Sequence, residues 1–249
     1  MSFHLVGYEE SIAAVANTDL DAIPDGILTI QNNHIMPQDD RLLQFAWAAS
    51  ATIDRARLVT PETRQVANPY IRPVDASLGP SDDTPVADYR DNPFRLKGLE
   101  EIAVEATSTI AMGSEDCFAL LGLGRNMSPA PRGQIYTMRG TGTTTLVADR
   151  WTLTAITWEQ SLPTGTFICV GLGAQSANCI GARLSFDNQA DRPGCVGMSA
   201  VTNREHQMFR KGGLGAWGMF TSTSLPEVEF LADVADAAQV VYLDFVRVG

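Results

Sequence analysis

Residues Arg150 to Phe186 read RWTLTAITWEQSLPTGTFICVGLGAQSANCIGARLSF and predict three consecutive β-strands. From Trp151 to Trp158 alternate residues fall on opposite faces, and β-branched and aromatic residues dominate, which is the pattern of a strand. Pro163-Thr164-Gly165 supplies a turn. Thr166 to Gly173 is almost continuously apolar, as in a strand covered on both faces, and Cys179 to Phe186 forms the third strand. The stretch therefore favours an all-β fold.

The remainder of the chain repeats this rhythm of apolar strands and polar turns. LLQFAWAAS and TIDRARLVT, which together cover Leu42 to Thr60, predict a strand pair, although the first segment alone is ambiguous between helix and strand. Phe94 to Thr109 predicts one long strand, and Val240 to Val248 predicts the closing strand. No long amphipathic helix is evident, so the pattern indicates a sandwich or barrel rather than an α/β fold.

A short internal repeat suggests two related halves. FALLGLG at Phe118–Gly124 resembles FICVGLG at Phe167–Gly173, although chance similarity of two buried strands remains an alternative. We place an N-terminal arm at residues 1–25, a first β half at 26–139 and a second β half at 140–249.

Composition and charge exclude some classes of function. The net charge is −11, and the only lysines among scattered arginines are Lys97 and Lys211, which argues against direct coating of nucleic acid. The N-terminus lacks the pattern of a secretory signal, and no apolar run approaches the length of a membrane helix. We expect synthesis in a reducing cytoplasm with free, buried thiols, although a Cys169–Cys179 bridge across a hairpin is an alternative. The chain contains four cysteines, Cys117, Cys169, Cys179 and Cys195.

The motifs that could carry chemistry are weak, so no catalytic residue, cofactor site or metal site is predicted. Gly213 to Gly218 matches GxGxxG, but no helix is predicted after it, and glycines there more plausibly allow close backbone approach. Gly140-Thr-Gly142 likewise lacks a following helix and a lysine. His4, His34 and His206 are too widely spaced to indicate a metal site.

Carboxylates and tryptophans allow two further hypotheses. Glu100, Glu101 and Glu105 could contribute to a carboxylate pair of the glycosidase kind, but solvated strand residues are the better interpretation. The tryptophans could stack on sugars, although core or interface packing is the commoner use in a β-sandwich. They are Trp47, Trp151, Trp158 and Trp217.

The segment from Pro61 to Pro93 is rich in proline and aspartate. A loop of this length is usually functional or an interaction surface. Clustered aspartates suit calcium, but the spacing does not match an EF-hand, so a solvated or subunit-contacting loop is favoured. The aspartates are Asp75, Asp82, Asp83, Asp88 and Asp91.

Three features support a family resemblance over roughly residues 26 to 248. They are the two units ending in GLG, the strands of the opening stretch, and Ala182–Phe186 followed by Arg192-Pro193-Gly194. The chain resembles the major capsid proteins of tailless, internal-membrane bacteriophages, the double-jelly-roll lineage of tectiviruses and corticoviruses. The resemblance implies an all-β fold of two tandem jelly rolls, with one large jelly roll carrying long insertions as the alternative.

For function, the resemblance implies a non-enzymatic virion protein that forms homotrimers within an icosahedral shell. Its partners would be neighbouring capsomers, other virion proteins and an internal lipid membrane, with no direct nucleic-acid contact. The segments Pro61–Pro93 and Glu205–Gly212 would be contact or tower regions. The alternative is a β-sandwich module that binds carbohydrate or a receptor, and a cupin-type enzyme is disfavoured by the spacing of the histidines.

Overall fold

The computed structural model describes residues 2–12, 17–30, 33–49, 53–63, 70–71, 86–108, 115–125, 128–198 and 214–249. These residues form β-strands, turns and irregular segments, and none of them belongs to a helix that could cross a membrane. The chain separates into two compact units. The first unit is residues 6–123, and the second unit is residues 124–249 together with residues 1–5.

Eleven strands precede residue 126 and build the first unit, apart from the ends of two of them. They are β1 Ser2–Ile12, β2 Asn17–Ala22, β3 Thr29–Ile30, β4 Asn33–Ile35, β5 Asp40–Ala49, β6 Ile53–Val59, β7 Tyr70–Ile71, β8 Val86–Asp88, β9 Phe94–Leu96, β10 Glu101–Ser108 and β11 Glu115–Arg125. Residues 2–5 of β1 and 124–125 of β11 belong to the second unit. One sheet has the order β1-β11-β5, with β8 and β9 one after the other along the outer edge of β5. The other has the order β2-β10-β6-β7.

Nine strands build the second unit. They are β12 Ile135–Gly142, β13 Thr152–Thr154, β14 Ile156–Trp158, β15 Thr166–Gln175, β16 Cys179–Ser185, β17 Gly194–Met198, β18 Gly218–Thr221, β19 Glu227–Ala232 and β20 Gln239–Arg247. One sheet has the order β14-β12-β20-β15-β18, and the other has the order β13-β19-β16-β17.

The two units share one strand order. If β8 and β9 count as one strand, and if the β3–β4 hairpin and β14 are set aside as additions, each unit has eight strands in sequence. In both units the first, eighth, third and sixth strands form one four-stranded sheet, and the second, seventh, fourth and fifth form the other. The two sheets of a unit join along one border, where β1 pairs with β2 in the first unit and β15 pairs with β17 in the second. Two four-stranded sheets connected in this way form a jelly roll. The predicted all-β jelly-roll fold is therefore confirmed, with one jelly roll in each unit.

The N-terminal residues depart from the prediction of an arm or irregular lead-in over residues 1–25. They form β1 and β2, and side chains on both faces of β1 are buried, including Phe3, Leu5, Val6 and Tyr8. A strand buried on both faces does not alternate between apolar and polar residues, so the period of two that identifies a half-buried strand is missing. The structure also groups residues 124–139 with the second unit, whereas the sequence placed the division between 139 and 140, inside β12.

Several predicted strands are split because a jelly-roll strand turns from one sheet into the other. The strand predicted over Trp151–Trp158 is β13 and β14, which break at Ala155 and pair in different sheets. The strand predicted over Phe94–Thr109 is β9 and β10, interrupted by a turn in which Leu99 has φ 65°. Likewise, β5 and β6 are strands as predicted, but they pair in opposite sheets and not with each other.

The short repeat has an explanation other than the one that the sequence suggested. Phe118–Gly124 lies in β11, the eighth strand of its jelly roll, whereas Phe167–Gly173 lies in β15, a third strand. Both are interior strands of their sheets and largely buried, which explains their common apolar composition. Chance similarity of buried strands, the alternative stated above, accounts for this match.

Candidate functional site

Each jelly roll carries a buried arginine–glutamate pair at the same topological position. Arg57 on the fourth strand of the first unit faces Glu105 on the seventh, and their side chains form an ion pair. Arg183 on the fourth strand of the second unit faces Glu229 on the seventh, and they also form an ion pair. The two jelly rolls therefore share an internal feature as well as a strand order.

The flanking residues match in the same register. The triplet Ala-Arg-Leu occurs at 56–58 and again at 182–184, and the dipeptide Val-Glu occurs at 104–105 and 228–229. In both units the leucine faces the valine and the arginine faces the glutamate. Apolar patterning does not reveal this repeat, because its two short parts lie on different strands. The signal in the sequence is the recurrence of the identical tripeptide and dipeptide in both halves.

The pair in the second unit is part of a larger cluster. Arg183 is only 1% exposed, and its guanidinium carbon lies 4.2 Å from the centroid of the Trp151 ring. Arg192 Nη1 donates to both oxygens of Glu229, at 3.1 and 3.2 Å. One carboxylate thus holds two guanidinium groups and connects the loop at 191–193 to β16 and β19.

This cluster holds the N-terminal residues against the second unit. The backbone N–H of Arg192 donates to Nδ1 of His4 at 2.9 Å, and the N–H of Leu5 donates to the carbonyl of Arg192 at 2.9 Å. The rings of Phe3 and Trp217 lie 5.3 Å apart. Arginine keeps its proton at all ordinary pH values, so Arg183 and Arg192 are suited to holding structure rather than to transferring protons.

An open groove of about 430 Å³ lies beside β13 and β14 in the second unit. Its apolar lining includes Leu153, Ile156, Trp158 and Pro226, and Glu227 adds a carboxylate. The outward residue of β13, Leu153, is 52% exposed. A groove of this size with an aromatic wall is a candidate contact surface.

The strand edges next to this groove are open. Among the described residues β13 pairs with β19 alone and β14 with β12 alone, so both leave an outer edge unpaired. Residues 151–158 contain no charged side chain. Natural proteins usually protect such edges with charge, proline or a covering segment. This uncharged double edge is therefore the clearest surface in the described chain for association with another polypeptide.

The glycines of the two weak motifs serve close packing. A side chain at Gly140 would meet Ile156 and Trp158 on the neighbouring strand β14. Gly215 lies with φ +82° against the carbonyl oxygen of Ser128. A side chain at Gly218 would meet the ring of Phe186. The interpretation that these glycines allow close approach of other groups is confirmed where they are described, and Gly213 lies outside the described residues.

The remaining predicted candidates are not brought together into one described site. Glu105 is 8% exposed and paired with Arg57, so its interpretation as a solvated residue was wrong. Trp217 is buried beside Phe3, Trp151 lies against Arg183 and Trp158 lines the groove. Outside the described residues lie His206 and Lys211, together with the side chain of Trp47.

The calcium hypothesis is only partly within the described structure. Asp75, Asp82 and Asp83 lie outside the described residues, as do most of Pro61–Pro93 and all of Glu205–Gly212. Burial acts to raise the pKa of Asp88, but hydrogen bonds from Arg90 outweigh it and the pKa is lowered. Within the described residues there is no group of three or more potential metal-ligating side chains. Calcium binding stays a prediction.

The cysteines are buried with free thiols, as predicted, and the alternative Cys169–Cys179 bridge is not formed. Desolvation by burial is the largest cause that raises the pKa of all four thiols. The thiolate is the reactive form of cysteine. We therefore expect no alkylation of the folded protein by iodoacetamide near pH 8 and complete alkylation in denaturant, measured by intact mass. A thiol that reacts equally fast in both states would contradict this burial.

The strand order defines the chain as a tandem double-jelly-roll protein. No protein-family model matches the chain, and no curated protein matches it in sequence. Among solved structures, the major capsid protein P2 from Bacteriophage PM2 has 9% sequence identity to this chain and a TM-score of 0.25, over 99% of this chain and 98% of that chain. A TM-score this low supports no conclusion about fold or function, so the class rests on the strand order.

Proposed function

We propose that this chain is a structural virion protein, a major capsid protein that assembles into homotrimeric capsomers of an icosahedral shell. The observation that carries the proposal is the presence of two jelly rolls with the same strand order and the same arginine–glutamate register in one chain. Three such chains around a threefold axis would present six similar jelly rolls. A capsomer with six similar jelly rolls can contact six neighbouring capsomers in a closed shell. This packing would explain why the chain contains two jelly rolls.

The second unit supplies surface that suits self-association. The uncharged edge at residues 151–158 and the groove beside it combine unpaired backbone groups with exposed apolar side chains. Closed assembly protects such edges from open-ended pairing. We expect each contact to bury more than about 1,000 Å², the range of stable interfaces.

The proposal assigns the chain a structural rather than an enzymatic role. The net charge of −11 argues against direct contact with nucleic acid. A lipid layer, other virion proteins and neighbouring capsomers are the proposed partners. Calcium bound by the acidic segment would be an additional stabiliser of such contacts.

Electron microscopy of the concentrated, purified protein tests this assignment. We expect particles with threefold symmetry and a six-lobed outline, which associate into sheets or closed shells. The charge-introducing variant Leu153→Lys on the open edge should reduce shell formation, whereas Val234→Lys, at an equally exposed position in the same unit, should not. Particles without threefold symmetry would contradict the proposed capsomer.

A second candidate function is favoured by one observation. Trp158 lines the groove together with Glu227 and Thr144, and an aromatic ring beside a carboxylate and a hydroxyl can bind a sugar ring. A carbohydrate- or receptor-binding module would use this surface. It predicts glycan binding that is lost in Trp158→Ala but kept in Trp151→Ala, measured on a glycan array.

A further inference from the structure

The first unit contains a buried histidine close to a buried aspartate. Asp25 lies in the segment before β3 and is 2% exposed, and His34 lies on β4 and is fully buried. Thr29, at the start of β3, lies between them and contacts both side chains. This cluster shares no residue with the arginine–glutamate pairs, and the proposed function makes no use of it.

The hydrogen bonds of His34 fix one of its two ring protons. Nε2 lies 3.1 Å from the carbonyl oxygen of Gly7 on β1. A carbonyl oxygen can only accept, so Nε2 carries a hydrogen. Nδ1 lies 3.2 Å from Oγ1 of Thr29 and can either accept a hydrogen bond from it or donate one to it. The protonation of Nδ1 therefore depends on the direction of the threonine hydroxyl.

The hydroxyl of Thr29 has one hydrogen and two acceptors within reach. Its oxygen lies 3.1 Å from Oδ1 of Asp25 as well as 3.2 Å from Nδ1 of His34, and it accepts the backbone N–H of Asp25 at 3.0 Å. If the hydroxyl donates to His34, the ring is neutral. If it donates to Asp25, Nδ1 of His34 can hold a proton and donate to the hydroxyl oxygen. Both arrangements use the same heavy-atom positions.

The carboxylate of Asp25 favours the second arrangement. Its Oδ1 accepts the backbone N–H groups of Ile27, Leu28 and Thr29 at 2.8, 2.8 and 3.2 Å, which suits a negative charge. A negative carboxylate that is connected to the imidazole of His34 through one hydroxyl favours the positively charged form of that ring.

Two further titratable groups among the described residues, Tyr8 and Glu101, lie near the cluster. On β1, the ring of Tyr8 lies 4.8 Å from that of His34 and nearly perpendicular to it, and its hydroxyl donates to the carbonyl of Ile102 on β10. Burial, with smaller contributions from Glu101 and Asp25, raises the pKa of Tyr8, so the phenol keeps its proton. Glu101 on β10 therefore adds negative charge near the cluster. These groups favour a positive charge on His34.

We propose that Asp25, Thr29 and His34 form a proton-binding latch that strengthens the first unit on acidification. A proton from solvent binds Nδ1 of His34, the Thr29 hydroxyl turns to donate to Asp25, and no hydrogen bond is lost. The resulting chain of charge-assisted bonds ties β4 to the segment at residues 25–29, while Nε2 stays bonded to β1. This regulation by pH goes beyond the proposed structural role and does not depend on it.

The sign of the effect follows from proton linkage. The folded state binds the proton more tightly than the unfolded chain, in which histidine titrates near pH 6.5. The stability that the latch adds is therefore present below about pH 6.5 and is lost as the pH rises through the folded-state midpoint. A histidine whose charge was simply penalised by burial would show the opposite dependence.

Nuclear magnetic resonance of the full chain with ¹⁵N-labelled histidine tests the latch, because it reports the protonation of each ring nitrogen. The variant His34→Gln assigns the His34 signals. We expect His34 to gain its second proton, at Nδ1, at a pH above about 6.5. Thr29→Val, which removes the hydroxyl and keeps the shape, should lower this midpoint by at least about one pH unit.

Two controls separate the latch from a general loss of stability. Thr29→Ser keeps the hydroxyl and should retain the wild-type midpoint, and Thr157→Val removes an exposed hydroxyl in the other unit and should change nothing. If His34 stays singly protonated down to about pH 5 in the folded protein, the latch does not exist. It is equally overturned if the midpoint in Thr29→Val equals that in Thr29→Ser. Should Thr29→Val fail to fold, Asp25→Asn must lower the midpoint in the same way.

Discussion

Replacing Glu229 by alanine is expected to lower the free energy of unfolding of the second unit by about 3–5 kcal/mol, the cost of breaking a buried ion pair. The variant leaves the guanidinium of Arg183, 1% exposed, without its carboxylate. Arg192 loses the same partner, but it is 25% exposed and can be solvated. Chemical denaturation followed by tryptophan fluorescence reports mainly on this unit, because three of the four tryptophans, Trp151, Trp158 and Trp217, belong to it.

Two further variants test whether the burial of the charge causes this loss of stability. Glu159→Ala breaks an ion pair with Arg139 whose side chains are 41% and 38% exposed, and it should cost no more than about 1 kcal/mol. The double variant Arg183→Met, Glu229→Leu removes both charges and should be far closer to the wild type than Glu229→Ala. Similar losses in Glu229→Ala and Glu159→Ala would contradict the described burial.

The matched pair in the first unit should respond in the same direction but less strongly. Arg57 is 22% exposed and Glu105 is 10% exposed, so water can partly replace the lost partner in Glu105→Ala. The expected order of the three losses of stability, Glu229 above Glu105 above Glu159, follows from the exposure of the arginine partner, which is 1%, 22% and 38%.

Replacing Gly215 by alanine is expected to destabilise the second unit by about 3 kcal/mol or more, because left-handed strain and overpacking add together. Gly215 has φ +82°, and an added Cβ would lie 2.1 Å from the carbonyl oxygen of Ser128. That carbonyl also accepts the N–H of Ala216 at 2.9 Å, so the two segments cannot separate without losing a hydrogen bond.

Gly26 provides a matched control for Gly215. It has φ +77°, but nothing lies within 4 Å of the position that its Cβ would occupy. Gly26→Ala should therefore cost only the backbone strain, about 1–2 kcal/mol. Denaturation of the two variants under the same conditions measures the difference. Equal losses of unfolding free energy in Gly215→Ala and Gly26→Ala would show that Ser128 does not approach Gly215 closely.

The fold class could be predicted from the sequence because it depends on local patterns. Alternation at 151–158 and the apolar run at 166–173 identify strands by their period and composition. The break at Ala155 could not be predicted, because period and composition continue unchanged across it while the pairing partner changes. The turn at Leu99 was missed for a similar reason, since apolar residues flank it on both sides.

The ion pairs could not be predicted because they depend on tertiary register. Glu105 and Glu101 look equivalent in sequence, and only the strand opposite them, with Arg57 in register with Glu105, makes Glu105 a buried ion-pair partner. His34 likewise gave no signal in sequence, since Asp25 and Thr29 are ordinary turn residues. In each case the function of a polar residue depends on a neighbour that pairing between distant segments brings into contact.

The solution mass of the purified protein, measured by light scattering with and without a chelator, tests the central claim most directly. We expect a stable mass near three times the 26.9 kDa of the chain, unchanged by dilution into the low micromolar range. Loss of the trimer only with chelator would assign calcium a role at the acidic segment. A monomer that persists at high concentration would contradict the proposed capsomer.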